Sequence, residues 1–231
     1  MCIRDRYEWI SGEIMDNPLI RDAMNYVKEI FENDFGGHDY YHTMRVFKMA
    51  TKIANVEKAN LIIVQLAALL HDVDDRKLSP NTFKQKERAT MFLKRCKIPE
   101  KQIIWICEII SEVSFSENGS LIPNSLEGKC VQDADRLDAM GAIGIARTFA
   151  FGGNNNRPMY NPQIPPGNKL MDNDSIKCKR STSINHFYEK LLLLKNLMNT
   201  KTGIEIAEKR DQYMRCLLYT SPSPRDGATS R

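Results

Sequence analysis

The chain has no long apolar run. The longest nearly apolar stretch, Leu61–Leu70, spans ten positions and contains Gln65, whereas a membrane-spanning helix needs about 20. The beginning also lacks the apolar stretch and small-residue site of a secretory signal. A cytoplasmic protein with no membrane partner is therefore expected. Cysteine is sparse and unpatterned: apart from Cys2 and Cys216 near the ends, Cys96, Cys107, Cys130 and Cys178 show no C-x-x-C spacing, which excludes a thiolate zinc site or a disulfide scaffold. These four read as reduced thiols that pack as small hydrophobes. With 12 Gly and 10 Pro in 231 residues, collagen-like and low-complexity classes fall away as well.

Nor does one sign of charge dominate, since 33 basic residues face 29 acidic ones for a formal +4. Residues 1–6 (MCIRDR) and 216–231 (CLLYTSPSPRDGATSR) resemble translated sequencing-adapter read-through, and each carries one net positive charge. Setting them aside halves the excess. What is left is no electrostatic footprint for DNA or RNA, so no nucleic-acid partner is expected. The expected organisation is a non-native segment over 1–6, a single domain over 7–215 and a non-native tail over 216–231, with a native start near Met15.

What the sequence does carry is helical periodicity. Over 40–56 the apolar positions Val46, Met49, Ile53 and Val56 recur every three or four residues and line one helix face, and Asp39 is placed to cap it. Residues 59–70 are apolar nearly all round, as in a helix buried among others. Further helices are expected over 84–96, 100–113 with Pro99 at its opening, 131–149, 184–198, and 203–213 with Thr200 and Thr202 as caps. No alternating strand pattern and no internal repeat appear. The fold class expected is all-α, a helical bundle. Residues 152–183, punctuated by GGNNN, RP, NP and PPG, are expected to form one long irregular loop, either a functional lid or a solvated insertion. Arg157, Tyr160 and Lys169 are its candidates for reaching a ligand.

There are only four histidines: His38, His42, His71 and His186. His42 shares the apolar face of Val46, Met49 and Ile53, which alone fits a core histidine as well as a ligand. The adjacent His71 and Asp72 end the most apolar helix, and a carboxylate there is costly unless paired or bound to a metal. Residues 131–142, VQDADRLDAMGA, read as a helix opening with three acids. The helix dipole accounts for Asp133 better than for Asp135 and Asp138, which share a face. Together His42, His71, Asp72 and Asp135 offer two imidazoles and two carboxylates from three helices, a set suited to a divalent transition metal.

The segments HTMRV (42–46), LLHDVDD (69–75) and DADRLDAMGAIG (133–144), in that order, resemble the signature of the HD-domain phosphohydrolase superfamily: a histidine, an HD dipeptide and a distant aspartate. GHDYYHTMRV, ISEVSFS and RTFAFGG are similar to a subgroup of small stand-alone bacterial members, and the resemblance covers residues 25–215. It implies an all-α HD fold with His42, His71, Asp72 and Asp135 as metal ligands. Asp135 is preferred to Asp133 because its ADRL resembles the matching motif of alarmone hydrolases. It also implies hydrolysis of phosphate esters or anhydrides, commonly in nucleotides. One divalent ion is expected (Mn, Mg, Fe or Zn), with Mn or Fe favoured by the mixed donors. Four protein ligands leave room for water and substrate in an octahedral shell. Two-metal members resemble a pattern with extra histidines between the HD pair and the last aspartate. Between Asp72 and Asp135 this chain has none, which argues against a di-iron oxygenase.

His38, Asp75 and Lys77 are the catalytic candidates. His38, one turn before His42, is suited to proton transfer near neutral pH, or is an ordinary loop histidine. Asp74 and Asp75 fall near the acidic pair of alarmone hydrolases, one residue out of register. Arg45, Arg76, Arg136, Asp138 and Arg157 are the substrate-binding candidates; phosphate calls for cationic partners such as the four arginines, and a surface ion pair is the alternative for each cation. The expected function is a metal-dependent phosphohydrolase or pyrophosphohydrolase acting on a small nucleotide-like phosphate. The alternative is an HD scaffold that senses a nucleotide without turnover.

Overall fold

A computed structural model describes residues 17–31, 39–74, 86–113, 121–167 and 181–220. The chain divides into two compact units, Met1–Gln132 and Asp133–Arg231. Every regular element among the described residues is helical, as the periodicity requires of an all-α fold.

In the first unit, α1 (Pro18–Phe31) is a helix beyond those expected. Its signals are nonetheless ordinary ones. Pro18 sits at the first position, Asn17 Oδ1 accepts from Leu19 N at 3.0 Å, and Ile20, Ala23, Val27 and Phe31 recur at helical spacing and are buried. Helix α2 (Tyr40–Glu57) starts at the Asp39 cap and ends with Lys58 in the left-handed region. Helix α3 (Leu61–Leu70) begins two residues later than expected because Asn60 caps it, its side chain accepting from Ile63 N. Residues 63–70 are all buried, for α3 is covered by α1, α2 and α5 (Glu100–Val113). Helix α4 (Glu87–Arg95) packs on α5. The buried inner helix α3 thus delivers its C-terminal end, where the HD pair follows, into the interior of this unit.

The second unit starts within α6 (Leu126–Asp138), followed by α7 (Gly141–Asn154), α8 (Ser183–Glu189), a 3-10 helix (Leu191–Leu197) and α9 (Lys201–Thr220). Several expected boundaries are corrected here. The run 131–149 is two helices, because tight turns from Ala139 N to Arg136 O and from Met140 N to Leu137 O close α6, and Gly141 at φ +73 then redirects the chain. A φ of that sign is cheap for glycine and costly for other residues. Helix α6 also begins five residues before Val131, so its three acids lie in the second half and not in the opening turn. The stretch 184–198 is interrupted at Lys190, where the tighter helix takes over. Helix α9 starts earlier than 203 and runs five residues into the segment set apart at 216. Thr200 is its cap, the hydroxyl accepting from Gly203 N at 2.9 Å, and Thr202 lies inside the helix. The irregular stretch is shorter than 152–183 at both edges, since Gly152 belongs to α7 and Ser183 to α8. Lys169 lies outside the described residues.

Among the described residues no helix is long and apolar enough to cross a membrane. Cys96, Cys107, Cys130 and Cys216 are free thiols, and burial pushes the Cys96 and Cys107 thiols up. Cys2 and Cys178 lie outside the described residues.

Candidate metal centre

The carbonyls of the last turn of α3 have no partners within the helix, as at any helix end. One of them, Ala68 O, lies 2.8 Å from His71 Nδ1. A carbonyl only accepts, so Nδ1 carries the proton and donates, which leaves the Nε2 lone pair of a neutral ring as the outward donor. One hydrogen bond therefore closes the helix end and orients the imidazole. His42 is set by its own helix: Asp39 Oδ1 accepts from His42 N at 2.6 Å and fixes the first turn of α2.

The two imidazoles meet at an edge, with ring centroids 5.4 Å apart and planes at 64°. Asp72 Oδ2 lies 3.1 Å from His71 Nε2 and 3.4 Å from His42 Nε2. All three residues are buried, at 2%, 9% and 9% exposure for His42, His71 and Asp72, and one donor atom from each falls within 4.8 Å of the others. Among the described residues this is the group of histidine, cysteine and acid side chains able to hold a metal ion. The donor chemistry fits such an ion. Neutral imidazole nitrogens and a carboxylate oxygen are all electron-pair donors, and a divalent cation is a group that the three can bind together. Separations of 3.1 and 3.4 Å also suit ligands that share one ion at bond lengths of about 2.0–2.2 Å.

Asp135, the fourth expected ligand, is half-buried on α6 in the second unit. Its neighbour Asp133 is fully buried with all of its bonding accounted for by scaffold. Asn199 N and Nδ2 donate to Oδ1 at 2.8 Å each, and Thr200 N and Oγ1 donate to Oδ2 at 2.8 and 2.7 Å. Asp133 thereby pins the start of α9, a role no local pattern signals because the partners are 66 and 67 residues away. Asp138 is buried and paired with Arg147 at 2.5 Å. Arg136 is buried and donates to the Leu197 carbonyl, and burial lowers its basicity against the pull of Asp133 and Asp135.

Of the other candidates, Arg45 is half-buried on α2 three residues after His42. Arg157 is half-buried beyond α7, its guanidinium 5.6 Å from the Phe151 ring centroid. Asp74 is buried and accepts from Arg88 N and Ala89 N at the start of α4. His38, Asp75, Arg76 and Lys77 lie outside the described residues.

The HD domain family pattern matches residues 39–140. The protein YpgQ of Bacillus subtilis (strain 168) is 37% identical over 191 residues, 82% of this chain and 85% of that protein. Its structure in complex with ADP superposes with a TM-score of 0.67 at 33% identity, covering 87% of this chain and 94% of that one. An HD-superfamily hydrolase from Bacillus thuringiensis is 42% identical with a TM-score of 0.69, and a protein from Lactobacillus plantarum is 37% identical with a TM-score of 0.74; each alignment covers 87% of this chain and 93% of the other. A buried His–His–Asp group formed by the HD dipeptide and an upstream histidine, on a helical scaffold shared with these relatives, places the chain in the HD-domain phosphohydrolase superfamily.

Proposed function

We propose that the protein is a metal-dependent phosphohydrolase or pyrophosphohydrolase of the cytoplasm, acting on a nucleotide-like phosphate ester or anhydride. One divalent ion, Mn or Fe by preference, is held by His42, His71, Asp72 and Asp135. The observation that carries this reading is the orientation of His71, whose Nδ1–H is engaged by Ala68 O so that Nε2 faces Asp72 Oδ2 beside His42. When bound, a divalent ion lowers the pKa of a coordinated water and polarises a phosphoryl oxygen. The chain's own residues hold and orient: His42, His71 and Asp72 bring one donor atom each within 4.8 Å of the others, and the Ala68 carbonyl engages the far side of the His71 ring. His38, Asp75 and Lys77 are assigned to proton handling and charge neutralisation. Arg45, Arg76, Arg136, Asp138 and Arg157 are assigned to substrate, with Arg136 and Asp138 also carrying scaffold bonds to Leu197 and Arg147. The ADP complex of the Bacillus subtilis relative supports a nucleotide-like substrate.

The test is a screen for phosphate and pyrophosphate release over nucleoside mono-, di- and triphosphates with Mn, Mg, Fe and Zn. Metal-dependent release by the wild type and its loss in Asp72→Ala are expected. Tight nucleotide binding with no release under any metal would replace the enzyme by a sensing module.

A further inference from the structure

Helix α4 starts without a cap of its own. Lys86, at the position where a helix usually carries an acceptor side chain, has φ 50° and ψ 43° and makes no side-chain cap bond, and a lysine has no acceptor to offer. The amides that such a cap would serve are those of the second and third helical residues, here Arg88 and Ala89. Both are satisfied from elsewhere in the chain. Arg88 N donates to Asp74 Oδ1 at 3.2 Å and Ala89 N to Asp74 Oδ2 at 3.0 Å. A carboxylate at this end also complements the helix dipole, and Asp74 is only 1% exposed.

Asp74 stands two residues after Asp72 in the turn that leaves α3. Within that turn the backbone bond from Val73 N to Leu70 O is 3.3 Å, beyond the usual N–H···O range. A coordinating group has to be held within roughly 0.5 Å of its working position, so what anchors this turn bears directly on the Asp72 carboxylate. The two bonds from α4 anchor the exit of the turn to another helix.

We infer that Asp74 is a positioning residue for the metal centre: by capping α4 from two positions beyond the HD pair, it fixes the turn that holds the Asp72 carboxylate against His42 and His71. This rests on the metal-binding reading given above. Both Asp74 oxygens are committed to backbone amides, so the two carboxylates of the turn act on different partners, Asp72 on imidazoles and Asp74 on the scaffold.

The experiment is titration of Mn(II) into metal-free wild type, Asp74→Ala and Asp74→Asn, following the free Mn(II) signal by electron paramagnetic resonance, with far-ultraviolet circular dichroism on each. Asp74→Ala is expected to keep wild-type helicity and to bind Mn(II) at least tenfold more weakly. Asp74→Asn keeps one acceptor oxygen and is expected to fall between the two. Wild-type affinity in folded Asp74→Ala overturns the inference. If Asp74→Ala does not fold, wild-type affinity in Asp74→Asn overturns it instead. Absence of Mn(II) binding by the wild type overturns the metal-binding reading itself, and the wild-type arm alone tells that outcome apart.

Discussion

Asp133 is fully exposed to no solvent and accepts from two amides, a hydroxyl and a carboxamide of Asn199 and Thr200. Truncating it leaves amides at the start of α9 unmatched, each unsatisfied buried group costing about 1–3 kcal/mol, so Asp133→Ala is expected to lose about 2–4 kcal/mol in urea denaturation. The pH dependence has a definite sign. Burial pushes the Asp133 carboxyl above the ordinary carboxylate value, and the hydrogen bonds from Thr200 and Asn199 only partly oppose it. A folded value above the unfolded one means that the folded chain holds this proton more tightly. Its contribution is then fully present below the ordinary carboxylate range and is lost as pH rises through the folded value. The stability of wild type minus that of Asp133→Asn is therefore expected to decline as pH rises through and above the ordinary carboxylate range; a difference that grows on that rise would show the hydrogen bonds outweighing burial. The HD dipeptide and His42 were legible in sequence because their chemistry demands those residue types at the end of an apolar helix and on an apolar face. The scaffold roles of Asp133 and Asp74 were not, since their partners stand 66 and 15 residues away and nothing in the local pattern distinguishes a pinned carboxylate from a ligand.

At the scale of elements, the junction of α6 and α9 gives a sharp case. A methyl on Gly203 would lie 2.3 Å from Asp133 Oδ2 and 2.8 Å from Thr200 Oγ1. In an exposed helix Gly→Ala gains about 1 kcal/mol from propensity. Here the neighbouring oxygens are buried and fixed by their own bonds, so Gly203→Ala is expected to give a net loss of about 1–2 kcal/mol in thermal unfolding, overpacking outweighing propensity. In the double variant with Asp133→Ala the two losses should be less than additive, because the nearer of the two clashing oxygens is gone and only Thr200 Oγ1 remains. A stabilised Gly203→Ala would show that the junction is loose. The helices whose ends are marked by local chemistry were legible: Asp39 opens α2 and Pro99 precedes α5 as the sequence indicates. The break between α6 and α7 was not, because an isolated glycine inside a periodic run costs a helix only about 1 kcal/mol and does not announce a positive φ. Likewise the start of α6 at Leu126 is hidden by LEGK, which has no apolar stripe.

For the whole molecule, the metal reading predicts a linkage between binding and folding. An ion that binds the folded chain and not the unfolded one stabilises it by about 2.7 kcal/mol at a hundredfold excess over its Kd, which for a chain of this size is a rise in melting temperature of roughly 5–10 °C. Mn(II) added to the chelator-treated protein is expected to produce such a shift, and EDTA to reverse it. In Asp72→Ala the shift should vanish while helicity persists, since the variant removes a charge and a donor from between two buried imidazoles and leaves the α3 core untouched. Stoichiometry sharpens the test. No histidine lies between Asp72 and Asp135, and Asp74, the nearest described acid on the same turn, has both oxygens on the α4 amides. Asp138 holds Arg147. A second site would thus depend on carboxylates alone, which suit weakly held Mg or Mn in place of a resident transition metal. One Mn(II) per chain is expected in equilibrium dialysis, with a single binding step. Two tightly held irons per chain, or oxygen consumption on addition of substrate, would overturn both the stoichiometry and the hydrolase reading.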